Sequence, residues 1–217
     1  MKTSLLTDLY PKTVTAVFGA NTPKKISAAG NTELLNNKKI GLFVSVNCPG
    51  VMIFQSYDFV FKMRTREKMS FISGFHSPME RECLRSLAAG ATGIIWCIAK
   101  SLESFKLPED LGKTFDDGRM LILSSFPENV TRITKETSML RNKLVAAIAD
   151  ESFFSYAAPG GKTEKLCCEA LEWGKPVFTL KEPENQGIID RGAVPIDVNN
   201  VESYWPKEDK DVELELS

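Results

Sequence analysis

The chain has 217 residues, 43% of them hydrophobic and 25% charged, so it can bury a core without disulfides or metal and is not disordered throughout. Its 27 basic and 28 acidic residues leave a net charge of −1, which excludes coating nucleic acid or membrane by bulk charge and leaves room only for a local basic patch. Five cysteines without a CxxC pair, and one histidine, argue against a Cys/His zinc site and for reduced thiols of a cytoplasmic protein.

No apolar run approaches the ~18 residues of a membrane span, and Asp8 and Pro11 interrupt any signal-peptide core. Residues 1–38, with Pro11, Gly19, Pro23 and Gly30, show little periodicity and read as an extension that packs on the core. Residues 40–46 (IGLFVSV) form a short apolar run before Asn47-Cys48-Pro49-Gly50, the pattern of a buried strand and turn. A helical period follows, with Ile53, Tyr57 and Val60 on one face and Phe54 and Phe61 beside it. Residues 69–73 (MSFIS) predict a second strand, ended by Gly74.

Ser77-Pro78-Met79-Glu80 is a capping box with proline at the first helical position. Cys83, Leu84, Leu87 and Ala88 give that helix an apolar stripe, and Gly90 stops it. Residues 93–98 predict a third strand, a short helix is expected after Pro108, and residues 120–123, extendable to Ser124, predict a fourth strand. Leu140, Leu144, Ala147 and Ile148 mark a helix that starts between Thr134 and Met139. Residues 153–157 predict a fifth strand and Pro159-Gly160-Gly161-Lys162-Thr163 a turn. Leu166, Cys167, Ala170 and Leu171 face inward on the next helix, Gly174 ends it, and residues 176–180 predict a sixth strand.

Doubly buried strands alternating with helices imply an α/β, Rossmann-like three-layer fold with a mainly parallel central sheet. The domain is expected over residues 39–200, followed by a charged tail over 201–217. Removing the two lysines and five acids of residues 207–217 turns the net charge from −1 to +2, so the tail masks a mildly basic body.

In such a sheet, ligands bind beyond the carboxyl ends of the strands. The loops there contain Ser45, Asn47, Cys48 and Gly50; Gly74, Phe75, His76 and Ser77; Lys100; Ser124, Ser125 and Phe126; and Gly160, Gly161, Lys162 and Thr163. Glycine, hydroxyls, lysine and helix N-termini together favour an anion, most simply a phosphate, although tight turns alone also select glycine. His76 is either a ligand contact or a loop histidine bonded to backbone. Glu80 is explained by the capping box. Arg141, with Asn142 beside it, is expected to be half-buried and to meet an anion or carbonyl groups. Cys48 reads as a packed thiol, with a lowered pKa at a helix start as the alternative. There is no GxGxxG and no GxxxxGK[ST], so neither a usual dinucleotide site nor ATP hydrolysis is inferred. No catalytic residue, metal or cofactor is assigned.

Several stretches, in order, resemble the DprA/Smf family of DNA-processing proteins of bacterial transformation. They are residues 22–31 (TPKKISAAGN) with Leu34-Leu35; Ile72-Ser73-Gly74; residues 141–150 (RNKLVAAIAD); Gly160-Gly161-Lys162-Thr163; residues 173–178 (WGKPVF); and residues 185–193 (NQGIIDRGA). The resemblance covers roughly residues 22–196. Ser45-Val46-Asn47 stands where the family has Gly-Ser-Arg, and Phe75-His76-Ser77-Pro78-Met79-Glu80 replaces its GID-x-x-AH stretch, so two walls of the expected pocket differ.

The resemblance implies a divergent, core-only member: a protein that binds single-stranded DNA through strand-end loops, associates with itself and helps load a RecA-type recombinase in the bacterial cytoplasm, without enzymatic activity. Lys100, Arg132, Arg141, Lys162 and Lys165 are the cations expected along the strand, with Phe75 and Phe126 as stacking rings. A nucleotide sensor is the alternative. Pro159-Gly160-Gly161-Lys162-Thr163-Glu164 also begins like the PGG-x-GT-x-x-E motif of lonely-guy-type nucleotide phosphoribohydrolases, but Glu169 lies six residues beyond Thr163 rather than three. A structural subunit that uses the fold only for assembly is the third reading.

Overall fold

The computed structural model describes residues 3–6 and 12–207; the tail over residues 208–217 lies outside the described residues. The described residues form a nine-stranded sheet from β1 (Thr3–Leu6), β2 (Ile26–Gly30), β3 (Lys38–Val44), β4 (Met69–Ser73), β5 (Gly93–Cys97), β6 (Met120–Ser124), β7 (Glu151–Tyr156), β8 (Val177–Leu180) and β9 (Val194–Ile196). The order is β1-β2-β6-β5-β4-β3-β7-β8-β9. All pairs from β6 to β9 are parallel, while β1 and β2 join antiparallel at one edge.

Alternation along the strands builds two cores. Ile40, Leu42, Phe71, Ile94, Ile122 and Phe153 enter one; Phe43, Ile72, Ile95, Leu121 and Phe154 enter the other. The first core is covered by α2 (Gly50–Met63), α3 (Pro78–Ala88) and a 3-10 segment at Val198–Ser203; the second by α1 (Lys12–Phe18), α5 (Lys135–Ile148) and α6 (Lys162–Glu172). Two short helices, α4 (Gly112–Asp116) and α7 (Gln186–Ile189), complete the set. The result is the three-layer, mainly parallel architecture expected from the alternating pattern.

The chain starts its parallel sheet at β3, winds outward through β4 and β5 to β6, then returns to β7 on the other side of β3. The connections diverge between the carboxyl ends of β3 and β7, which makes that point the topological switch of the sheet, the usual ligand crevice.

Several sequence expectations shift. The first core strand ends at Val44 rather than at residue 46, and Val46 is 64% exposed. Its register against β7 breaks after Phe43, and the Ser45 hydroxyl accepts the Ala158 amide at 2.9 Å, so the chain turns toward the β7 loop. Helix α2 exists, but its buried face is Met52, Ser56, Phe59, Val60 and Met63. Phe59 sets that rotation by stacking on Phe153 with ring centroids 3.9 Å apart. Ile53, Phe54, Tyr57 and Phe61 are therefore outside, Phe54 at 79% exposure.

The amino-terminal extension is part of the sheet through β2, which pairs with β6, and α1 packs on α5. At the other end the 201–217 tail starts too early. Val201 and Trp205 are buried, and Trp205 donates from Nε1 to Glu151 Oε2 at 2.7 Å. Strand β9 has no counterpart among the elements expected from sequence.

Candidate functional site

The loop after β4 is rigid because Glu80 holds it. Ser77 Oγ accepts the Glu80 amide at 3.1 Å, and Glu80 Oε2 accepts the His76 and Ser77 amides at 2.8 and 3.1 Å. The other oxygen, Oε1, accepts the Val44 amide at 3.2 Å and so ties this loop to the end of β3. The capping box read from sequence is present, and it occupies Ser77, which is 3% exposed. Phe75 sits in the same loop with a φ of 44°, a left-handed conformation that non-glycine residues rarely adopt. Its ring is 2% exposed and lies edge-on to Trp96 at 6.1 Å, so it is not free to stack on a base.

Arg141 is more buried than its neighbours in sequence suggested. It is 4% exposed, whereas Leu140 is 50% exposed. The buried residues of α5 are Arg141, Leu144, Val145, Ala146, Ala147 and Ile148, so Leu144, Ala147 and Ile148 of the expected stripe do face inward, while Arg141 goes in where Leu140 was expected. The guanidinium lies flat on Gly74: a Cβ built there would fall 1.8 Å from Nη1. Glycine at this position serves the arginine rather than a ligand's approach. Nη1 donates to the Cys97 carbonyl at 3.1 Å, and buried Nε has no partner. Burial disfavours its charge, and the Glu80 carboxylate opposes that effect. His76 is exposed as a residue, but partial desolvation of its ring first, then the positive charge of Arg141, lowers its pKa, with Glu80 opposing.

Two concavities open at this carboxyl edge. A cleft of about 880 Å³ lies at the topological switch, between Val46 after β3 and the first turns of α5 and α6. Lys135, Lys143, Lys162 and Lys165 line it, against the single carboxylate of Glu169. Between the lysines it exposes apolar side chains: Val46, Ile133, Met139 and Leu140 are each 45–64% exposed. The N-termini of α5 and α6 add positive dipole ends. Lys143 is held with its ammonium 5.5 Å from both the Phe18 and the Trp173 ring centres. A pocket of about 480 Å³ adjoins the cleft; it is lined by Arg141 and Lys100, and His76 and Ile133 face both spaces.

The candidate residues divide accordingly. Lys162, Lys165, Asn142 and His76 line the cleft, and Gly74, His76, Lys100 and Arg141 the adjoining pocket. Arg132 and Phe126 line neither, nor do Asn47 and Gly50. Thr163 also lies outside both, and Ser45 is committed to the β7 loop. The Gly160-Gly161 turn has its amides in use: Gly160 donates to Glu164 Oε2 at 2.7 Å and Gly161 to the Ala158 carbonyl at 2.9 Å. Glu164 is further paired with Arg191 at 2.7 Å. The turn thus places Lys162 and Lys165 instead of cradling a phosphate on its backbone. Lys135, Lys143, Ile133, Met139 and Leu140 escape a reading of the loops directly after strands, because they sit on a helix or just before it; Val46 does follow β3, but the sequence pattern places it inside the strand. Burial raises the Cys48 thiol to about 11, which favours the packed reading over the activated one.

No protein-family model and no curated protein matches the sequence. Among solved structures the chain is similar to DNA processing protein A (DprA) from Streptococcus pneumoniae, with a TM-score of 0.76 at 17% identity over 95% of this chain and 76% of that one. It is likewise similar to DprA from Helicobacter pylori, a structure described for its single-stranded DNA binding mode, with a TM-score of 0.75 at 18% identity over 94% and 95% of the two chains. A molybdenum cofactor carrier protein from Chlamydomonas reinhardtii is more distant, with a TM-score of 0.53 at 14% identity over 77% of this chain and 95% of that one. The chain therefore has a DprA-like, Rossmann-type α/β fold, the fold that the ordered sequence stretches implied.

Proposed function

We propose that this protein is a DprA-like DNA-processing protein that binds single-stranded DNA in the cleft at the topological switch and performs no catalysis. The observation that supports this most is the composition of that cleft. Four lysines stand around exposed aliphatic side chains with one opposing carboxylate, so backbone phosphates and unpaired bases each find complementary surface. The base-facing surface here is mainly aliphatic, unlike the aromatic platforms common in single-strand binders.

In this reading the biological setting is DNA uptake or recombination in the bacterial cytoplasm, with a RecA-type recombinase and a second copy of the chain as partners. It is supported by the fold and by the ordered sequence resemblance. Glu169 lines the cleft but is out of register with the phosphoribohydrolase motif, which supports binding over hydrolysis.

The test is a binding titration of labelled oligothymidylate against a duplex of the same length at about 50 mM salt. The single strand is expected to bind at least about tenfold tighter, because paired bases cannot reach the aliphatic wall. Equal affinity for the two, or no binding of either, would overturn the proposal.

A further inference from the structure

The pocket beside the cleft differs from it in charge density and in its floor. Arg81, Arg85, Lys100, Lys106 and Arg141 line about 480 Å³, with Asp110 as the one carboxylate among the lining residues. The cleft has nearly twice that volume and one cation fewer. Arg141 forms the floor: it is 4% exposed, makes one hydrogen bond to a carbonyl, and leaves Nε buried without a partner. Among the described residues no carboxylate pairs with it within 4.0 Å. A buried guanidinium without an ion pair is costly, and an anion entering the pocket would offset that cost.

Several of the other lining residues are held in place, and Arg85 is already paired with Glu82 outside the pocket lining. Arg81 donates from Nε and Nη2 to the His76 carbonyl at 3.2 and 3.1 Å, and Lys100 Nζ donates to the Ser104 carbonyl at 2.7 Å. Trp96 makes perpendicular ring contacts with Phe75 and Phe105, and its indole nitrogen donates to the Gly74 carbonyl at 2.9 Å. The wall is therefore aromatic where the cleft wall is aliphatic. A terminal phosphomonoester, dianionic and with three unesterified oxygens, can use this concentration of cations more fully than a singly charged diester, which has two.

From this we infer that the pocket is a phosphomonoester site, taking the terminal phosphate of a nucleotide with the attached nucleoside against the Trp96 wall. Because the pocket and the cleft share His76 and Ile133, a strand lying in the cleft can deliver its phosphorylated end into the pocket. A free mononucleotide carries the same group. The strand-end arm of this inference rests on single-stranded DNA binding in the cleft; the free-nucleotide arm does not.

The test uses oligothymidylates of one length bearing a 5′-phosphate, a 3′-phosphate or hydroxyls at both ends, with thymidine monophosphate and inorganic phosphate as competitors. One phosphorylated end is expected to bind about tenfold tighter than the hydroxyl-ended strand, the increment of added charge-assisted hydrogen bonds. In the Arg81→Ala/Lys106→Ala variant that increment disappears while hydroxyl-ended affinity stays unchanged. Thymidine monophosphate that stabilises the wild type thermally, but not the variant, supports the site through the free-nucleotide arm, even if no oligonucleotide binds. Equal affinity for all three strands, together with no response to either competitor, overturns the inference; hydroxyl-ended binding in that same experiment would leave the cleft reading standing.

Discussion

Replacing Gly74 by alanine is expected to destabilise the protein by about 4 kcal/mol, the sum of overpacking and the removal of a hydrogen bond from a charged donor. The added Cβ would fall 1.8 Å from Nη1 and 1.9 Å from Cζ of Arg141, so the guanidinium must leave its seat. It would abandon the Cys97 carbonyl, its hydrogen-bond partner, and α5 would have to shift or expel a side chain that is now buried. The substitution does not touch the cleft lysines, so its effect reads the Gly74–Arg141 packing itself. Denaturant unfolding of the wild type and of Gly74→Ala measures it. A loss below about 1 kcal/mol would mean that Arg141 can reorient freely and does not form a fixed floor.

The second large effect concerns affinity. Lys135, Lys162 and Lys165 stand around the cleft, and none makes an ion pair among the described residues. The triple variant Lys135→Ala/Lys162→Ala/Lys165→Ala is expected to lower single-stranded DNA affinity about 100-fold at about 100 mM salt, roughly fivefold for each phosphate left without its lysine. Its stability should stay within about 0.5 kcal/mol of the wild type, because surface lysines of this kind contribute little to folding. Lys143 is left in place because its ammonium lies over Phe18 and Trp173, and its removal would mix packing with charge. Unchanged affinity in a folded triple variant would move the DNA to another surface.

The elements that are legible in the sequence are those whose local chemistry and burial agree. Strand β4 is apolar between turn residues, and α3 opens on a capping serine, a proline and a glutamate; each pattern has one reading. Helix α2 has apolar side chains at most positions of GVMIFQSYDFVFKM, so its period identifies a helix without fixing the buried side, and the Phe59–Phe153 stack decides it. Strand β2 (ISAAG) is made mostly of small residues, too weak a pattern to reveal a strand that gains its place by pairing with β6. Charge misleads at Arg141, whose depth becomes evident only with the bare backbone of Gly74 beneath it.

Where the candidate cleft lies in the fold can be anticipated from sequence; which residues line it is less legible. The carboxyl edge follows from the parallel pattern alone, and His76, Arg141 and Lys162 are found there. The cleft itself is made by the facing ends of α5 and α6, which meet only in three dimensions. The loops directly after strands therefore lead to Lys162 and not to Lys135 or Lys143. They also suggest for the Gly160-Gly161 amides a role that Glu164 and Ala158 already fill.

The salt dependence of oligothymidylate binding tests the cleft most directly. Four lysines engaging phosphates predict that the logarithm of the association constant falls against the logarithm of salt concentration with a slope of about −3, and of about −1 in the triple lysine variant. A wild-type slope near zero, or the same slope in both proteins, would contradict binding of the DNA backbone by these residues.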